Sequence, residues 1–172
     1  MIFTLVGMPG AGKSCLGKAV SSKLKIKLID ADKMIEERTG KKLQTLIDEI
    51  GVVRFREIEE ETLLSITPSP DTHYILSTGG SAIYSTKAMN YLKTIGKIIY
   101  LYCSYETIVE RVGDYSQRGI VFKPGQDLLG LYEERVPLYE GFADITVSCD
   151  GKAYARYKKN LIKAITEAIE KE

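Results

Sequence analysis

The stretch Ile2-Phe3-Thr4-Leu5-Val6-Gly7-Met8-Pro9-Gly10-Ala11-Gly12-Lys13-Ser14 decides the fold. Its first five residues make an apolar run of the kind found in a strand covered on both faces, and glycine ends the run. The next eight match G-x-x-x-x-G-K-[ST] in full. Leu16, Ala19, Val20 and Leu24 then recur at helical spacing. Strand, glycine-rich turn and helix in that order are the context in which this pattern binds phosphate. Glycines let the backbone curl so that successive N–H groups converge on phosphate oxygens, and the helix N-terminus adds its positive dipole end. Lys13 would reach the β- and γ-phosphates and the Ser14 hydroxyl would ligate magnesium. A nucleoside triphosphate is the expected ligand.

Working outward, short apolar runs alternate with helical periods. Ile26 to Ile29 reads as a second strand ending at Asp30, Tyr74-Ile75-Leu76 as a third, Lys97 to Tyr102 as a fourth and Asp144 to Val147 as a weaker fifth. Leu43, Leu46, Ile47 and Ile50 mark a short amphipathic helix, Phe55, Ile58, Leu63 and Ile66 another, and Leu161, Ile165, Ala168 and Ile169 a last one. Strands alternating with helices build right-handed βαβ units and a parallel sheet covered on both sides. Two segments break the rhythm. About forty residues with two or three helices separate the second and third strands, and the polar stretch from Gly113 to Gln126 has the character of a functional lid. Both leave strand C-terminal ends, where open α/β sheets bind ligands.

Composition narrows the class. The chain has 172 residues, the length of one domain, with 24 Lys+Arg against 23 Asp+Glu and a net charge of +1. That balance lacks the basic excess of a nucleic-acid binder. No apolar run reaches the 18 or so residues of a membrane helix, and the N-terminus lacks the basic region of a signal peptide. Cys15, Cys103 and Cys149 are widely spaced with no C-x-x-C pair, and read as small buried residues of a reducing compartment. A single cytoplasmic domain, monomeric, with neither membrane nor nucleic-acid partner, is the expectation. No N-K-x-D follows a later strand, which excludes a guanine-specific GTPase. The third strand runs into Leu76-Ser77-Thr78-Gly79-Gly80 without the terminal acid of a motor-type ATPase. A small domain with two insertions over the phosphate site suits a kinase that closes over a small acceptor to exclude water.

Five elements in order carry a family resemblance: the phosphate loop, Asp30-Ala31-Asp32, Phe55-Arg56-Glu57-Ile58-Glu59, the Gly79-Gly80 turn and Arg135-Val136-Pro137-Leu138-Tyr139. In these the chain resembles the shikimate kinases, within the nucleoside monophosphate kinase-like P-loop group. The resemblance implies a three-layer α/β/α P-loop kinase fold over residues 1–172. It has a five-stranded parallel sheet in the order 2-3-1-4-5, an acceptor-binding helical insertion at about 32–62 and a lid at about 112–126. It implies phosphorylation of the 3-hydroxyl of shikimate by ATP with Mg2+. It places ATP on Gly10, Ala11, Gly12, Lys13, Ser14, Cys15, Arg111 and Arg118, and magnesium on Ser14 and Asp30 with Ser77 supporting its waters. It places the acceptor on Asp32, Arg56, Gly79, Gly80 and Arg135, and catalysis on Lys13, Asp32 and Arg118.

Each assignment also has a physical reading of its own. Asp30 and Asp32 close a strand and open a helix, so they can face the phosphates, and either can instead be a helix N-cap. An arginine fork binds a carboxylate bidentately. Arg56 can do so with Glu59, one turn on, holding it in place, or can be a solvated ion pair among Glu57, Glu59, Glu60 and Glu61. Ser77-Thr78-Gly79-Gly80 can admit a ligand to backbone N–H groups or be a plain turn. Arg111 can line the adenine or simply end a helix favourably. Pro137, two residues after Arg135, predicts a kink toward the cleft.

The chain departs from the family pattern at three positions. Ser81 stands where a third glycine is common, Gly119-Ile120-Val121 replaces Pro-Leu-Leu after the lid arginine, and Ala31 replaces threonine. The acceptor is therefore less fixed than the reaction. A gluconate- or homoserine-like hydroxy acid is an alternative acceptor, and a nucleotide-sensing module without phosphoryl transfer is an alternative of another class.

Overall fold

The computed structural model describes residues 1–113 and 120–171. Arg118 and Gly119, the lid positions singled out above, lie outside the described residues. The five strands are β1 (Ile2–Val6), β2 (Lys27–Asp30), β3 (Tyr74–Ser77), β4 (Gly96–Tyr102) and β5 (Ile145–Ser148). All neighbours pair in parallel, in the order β2-β3-β1-β4-β5. This is the order and the α/β P-loop kinase fold that the resemblance implied.

The helices are α1 (Lys13–Leu24), α2 (Ala31–Thr39), α3 (Leu43–Leu64), α4 (Thr86–Thr94), α5 (Tyr105–Val112), α6 (Leu128–Phe142) and α7 (Tyr154–Ile169). From β1 the chain crosses one way along the sheet, and from β2 onward it crosses back. Right-handed crossovers therefore put helices on opposite faces. The packing agrees: α1 and α7 lie together over one face, while α4 and α6 cover β4 from the other, with α3 against α4. The central strands have no polar face to spare. Ile2, Phe3, Leu5, Ile75, Leu76, Ile98, Ile99 and Leu101 are fully buried between the layers.

The two insertion helices expected around Leu46 and Phe55 are the two arms of α3, separated at Gly51, whose φ of 78° and ψ of 164° are not helical. Helix α6 continues through Pro137 to Phe142. Cys103 and Cys149 are buried as expected, but Cys15 is exposed. It sits beside the α1 face formed by Leu16, Gly17 and Val20, and so turns away from the sheet. No described helix is long and apolar enough to cross a membrane.

Candidate active site

The phosphate loop leaves the C-terminal end of β1, the middle strand, and feeds directly into α1. Gly10 and Gly12 take φ values of 85° and 93°, conformations that only glycine adopts readily, and these curl the loop. Lys13, the first residue of α1, is 9% exposed, and its Nζ donates to Gly7 O at 2.7 Å and Met8 O at 3.0 Å. Burial draws its pKa down to about 8, although the Asp32 carboxylate opposes that shift.

Strand register assembles the next group. Asp30 pairs with Ser77 at the ends of β2 and β3, and the Ser14 and Ser77 hydroxyl oxygens lie 3.2 Å apart. Thr78 is buried and donates from Oγ1 to Leu5 O at 3.0 Å, tying the turn to β1. Of the two aspartates it is Asp30 that caps α2, accepting from Lys33 N at 3.3 Å. Asp32, in the first turn of α2, is left to face the cleft. Burial raises its carboxyl to about 6, against the pull of Lys13. Ala31 is buried in the core, so its side chain faces away from the site.

A cleft of about 660 Å³ brings together Lys13, Ser14, Asp32, Glu59, Gly79, Gly80 and Arg135. A Cβ built on Gly79 would stand 2.5 Å from Glu59 Oε1 and 3.0 Å from Asp32 Oδ1, so the two carboxyl groups flank that glycine. One on Gly80 would stand 2.8 Å from Arg135 Nη1. Arg135 is 1% exposed, and Tyr139, one turn further along α6, donates to Gly80 O at 2.7 Å. One helix thus supplies a cation to the cleft and fixes the turn opposite it.

The structure corrects the expected role of Glu59. Its Oε2 accepts from Ser81, the residue at the third-glycine position, at 2.8 Å, and no hydrogen bond or ion pair joins it to Arg56 among the described residues, although the Arg56 charge still acts on it. Glu59 Oε1 is buried without a hydrogen bond, and burial raises this carboxyl to about 7. The Arg56 guanidinium lies 4.2 Å from the ring centroid of Tyr84, with that of Arg135 at 5.3 Å from the same centroid. Tyr84 was not singled out from the sequence.

Arg111 ends α5, yet it is no mere surface cation. Its Nη2 donates to Cys149 O at 2.6 Å and Gly151 O at 2.7 Å, and the guanidinium lies over Tyr157 at 5.5 Å. It stands between the main cleft and an adjoining pocket of about 380 Å³ that also takes in Gly10, Gly12, Cys15 and Tyr154. Ile120 and Val121 line the cleft, and Val121 packs with Ile35, Leu46, Ile47 and Phe55.

A phosphate loop on the middle strand, facing a second half-site of carboxyl and guanidinium groups across one cleft, defines a P-loop kinase. A sequence model of the family described as "SKI: Shikimate kinase" matches residues 9–170. A shikimate kinase of Thermodesulfovibrio yellowstonii is 34% identical over 161 residues, covering 92% of this chain and 91% of that protein. One from Haemophilus influenzae is 38% identical over 149 residues, covering 85% and 82%. Among solved structures, the shikimate kinase of Acinetobacter baumannii in complex with shikimate superposes with a TM-score of 0.83 at 29% identity, covering 96% of this chain and 93% of that one. This chain belongs to the shikimate kinase family.

Proposed function

We propose that this chain transfers the γ-phosphoryl group of ATP to the 3-hydroxyl of shikimate, releasing ADP and shikimate 3-phosphate in the shikimate pathway. The observation that carries the reading is the convergence of Lys13, Asp32 and Arg135 on one cleft, beside a turn with no side chain at Gly79 or Gly80. ATP lies along Gly10 to Cys15, with its base toward the pocket walled by Arg111 and Tyr157. The shikimate carboxylate meets Arg56 and Arg135. Its ring hydroxyls meet Asp32 and the backbone at Gly79 and Gly80.

In the reaction, Asp32 accepts the proton of the 3-hydroxyl as that oxygen forms its bond to the γ-phosphorus, and the bond to the β,γ-bridging oxygen breaks toward ADP. Lys13 exchanges its bonds to Gly7 and Met8 carbonyls for the phosphate oxygens and offsets the charge that builds on them. Arg118, outside the described residues, is the candidate for a further cation at the transferring group. The acceptor-binding insertion is assigned to about residues 32–62 and the lid to about 112–126, within one domain of 172 residues.

Magnesium fits the donor set. Two hydroxyl oxygens 3.2 Å apart, from Ser14 in the first turn of α1 and Ser77 at the end of β3, with the Asp30 carboxylate on the neighbouring strand, offer the oxygen ligands this ion prefers, and no competing nitrogen or sulfur cluster occurs among the described residues. Ser14 would hold the ion directly, with Asp30 and Ser77 orienting its waters. When bound, the ion would neutralise β- and γ-phosphate oxygens. A monomeric state is part of this reading. Three free cysteines and a net charge of +1 suit a cytoplasmic enzyme without membrane or nucleic-acid partners.

The test is product identification by phosphorus NMR after incubation with ATP, magnesium and each of shikimate, gluconate and homoserine. A new phosphomonoester signal with shikimate alone is the expected result. A signal with another acid and none with shikimate would overturn the acceptor.

A further inference from the structure

Arg56 and Arg135 carry like charges that repel at close range, yet both lie against one side chain. Their guanidinium carbons stand 4.2 Å and 5.3 Å from the Tyr84 ring centroid. Glu59, the acid nearest in sequence to Arg56, has one oxygen engaged by Ser81 and the other buried without a hydrogen bond. Arg56 Nε is likewise buried without a hydrogen-bond partner among the described residues.

The negative face of an aromatic ring attracts a cation without taking its N–H groups. A carboxylate partner would occupy the guanidinium fork, whereas a ring leaves the in-plane donors open to an incoming acid. The ring itself is fixed. Its hydroxyl accepts from Arg135 Nε at 3.3 Å and donates to Glu134, which Lys123 grips at 2.6 Å and Gln126 at 3.3 Å. Ser81 and Tyr84 flank one short turn, Ala82–Tyr84, directly after Gly79 and Gly80. That turn both engages Glu59 through Ser81 and sets the Tyr84 ring against Arg56.

We propose that Tyr84 is a positioning residue for acceptor recognition, a platform that holds Arg56 and Arg135 together, engaging only Arg135 Nε and leaving their other donors for a carboxylate. The inference rests on the reading that these two arginines grip the shikimate carboxylate.

The experiment is steady-state kinetics of the full chain as Tyr84→Leu, Tyr84→Met, Tyr84→Phe, Arg56→Ala and the Arg56→Ala/Tyr84→Leu double variant. Two apolar replacements are included so that either one that folds gives the answer. The expected result is a shikimate KM raised about tenfold in Leu or Met, with kcat and the ATP KM within about twofold. Tyr84→Phe, which keeps the ring, should restore the shikimate KM to within about threefold. Leu should add little on top of Arg56→Ala, because the platform then has one cation fewer to hold. An unchanged shikimate KM in a folded apolar variant, with Arg56→Ala raising it, would overturn the role of Tyr84 alone. So would an equal loss in kcat and the ATP KM. An Arg56→Ala variant with an unchanged shikimate KM would overturn the carboxylate grip, and the platform with it.

Discussion

At the scale of single residues, the chemistry turns on three buried ionisable groups whose proton affinities are drawn toward neutrality. Asp32 and Glu59 are raised to about 6 and about 7 by burial, and Lys13 is lowered to about 8 by the same cause. A base must be ionised and a phosphate-binding ammonium protonated. The profile of kcat/KM against pH should therefore be bell-shaped, with limbs near 6 and near 8 that belong to the coupled pair Asp32–Lys13. A flat profile from pH 5 to pH 9 would contradict it. The same shift has a cost in stability. Folding favours the protonated form of Asp32, so its stabilising contribution is complete below the ordinary value of 3.8 and is lost as pH rises through about 6. Asp32→Asn, which cannot ionise, is predicted to melt several degrees above the unaltered protein at pH 8, with the gap closing toward pH 4, and to be nearly inactive at both. Thermal denaturation at the two pH values checks the first half and a turnover assay the second. Arg56→Ala should raise the shikimate KM by about 10- to 100-fold, from loss of a charge-assisted, two-pronged contact, with the ATP KM little changed.

At the scale of elements, the α2–α3 insertion depends on one backbone joint. Gly51 sits at φ 78° and ψ 164°, a region essentially restricted to glycine, with nothing within 4 Å of where its Cβ would stand. The cost of Gly51→Ala is thus conformational rather than steric, about 1–3 kcal/mol. It should lower the melting temperature and raise the shikimate KM, because the joint aims Phe55 and Glu59 at the cleft and sets Arg56 against Tyr84. A variant that melts and binds like the unaltered protein would show that the break is incidental. How much of this could be read from the chain follows from the range of each signal. The phosphate loop is contiguous, and its chemistry dictates its conformation, so Lys13 and Ser14 were legible. The helical stripes around Leu46 and Phe55 gave both arms of α3 as separate helices, and Gly51 is where they part. Proline normally ends a helix, yet α6 is held over its length by Leu128, Leu131, Arg135 and Tyr139, all buried, and packing overrides the local preference. The Ser81–Glu59 bond links positions 22 apart, and Tyr84 meets arginines on two other helices. Tertiary contacts of that kind leave no local pattern, although Ser81 was visible as a departure from the family.

At the scale of the whole molecule, the sheet order sets everything in place. The middle strand delivers phosphate-binding groups, its neighbour β3 delivers Ser77, the edge strand β2 delivers Asp30 and leads into Asp32, and the helices of the opposite layer deliver Glu59 and Arg135. Ligands that bridge these parts should stabilise the fold as a unit. At about 100 times its Kd, ATP with magnesium should contribute about 2.7 kcal/mol, or roughly 5–10 °C in melting temperature. Chelating the metal should remove most of that gain, and an unchanged shift after chelation would contradict the assignment of Ser14 and Asp30. The central claim is that nucleotide and acceptor meet in one cleft and that Lys13 serves the transfer between them. Its most direct test is magnesium-dependent ADP release from ATP, with and without shikimate, in the unaltered protein and in Lys13→Ala. The account predicts strong stimulation by shikimate, reduced at least about a hundredfold in Lys13→Ala. ADP release indifferent to shikimate, or surviving the loss of Lys13, would contradict it.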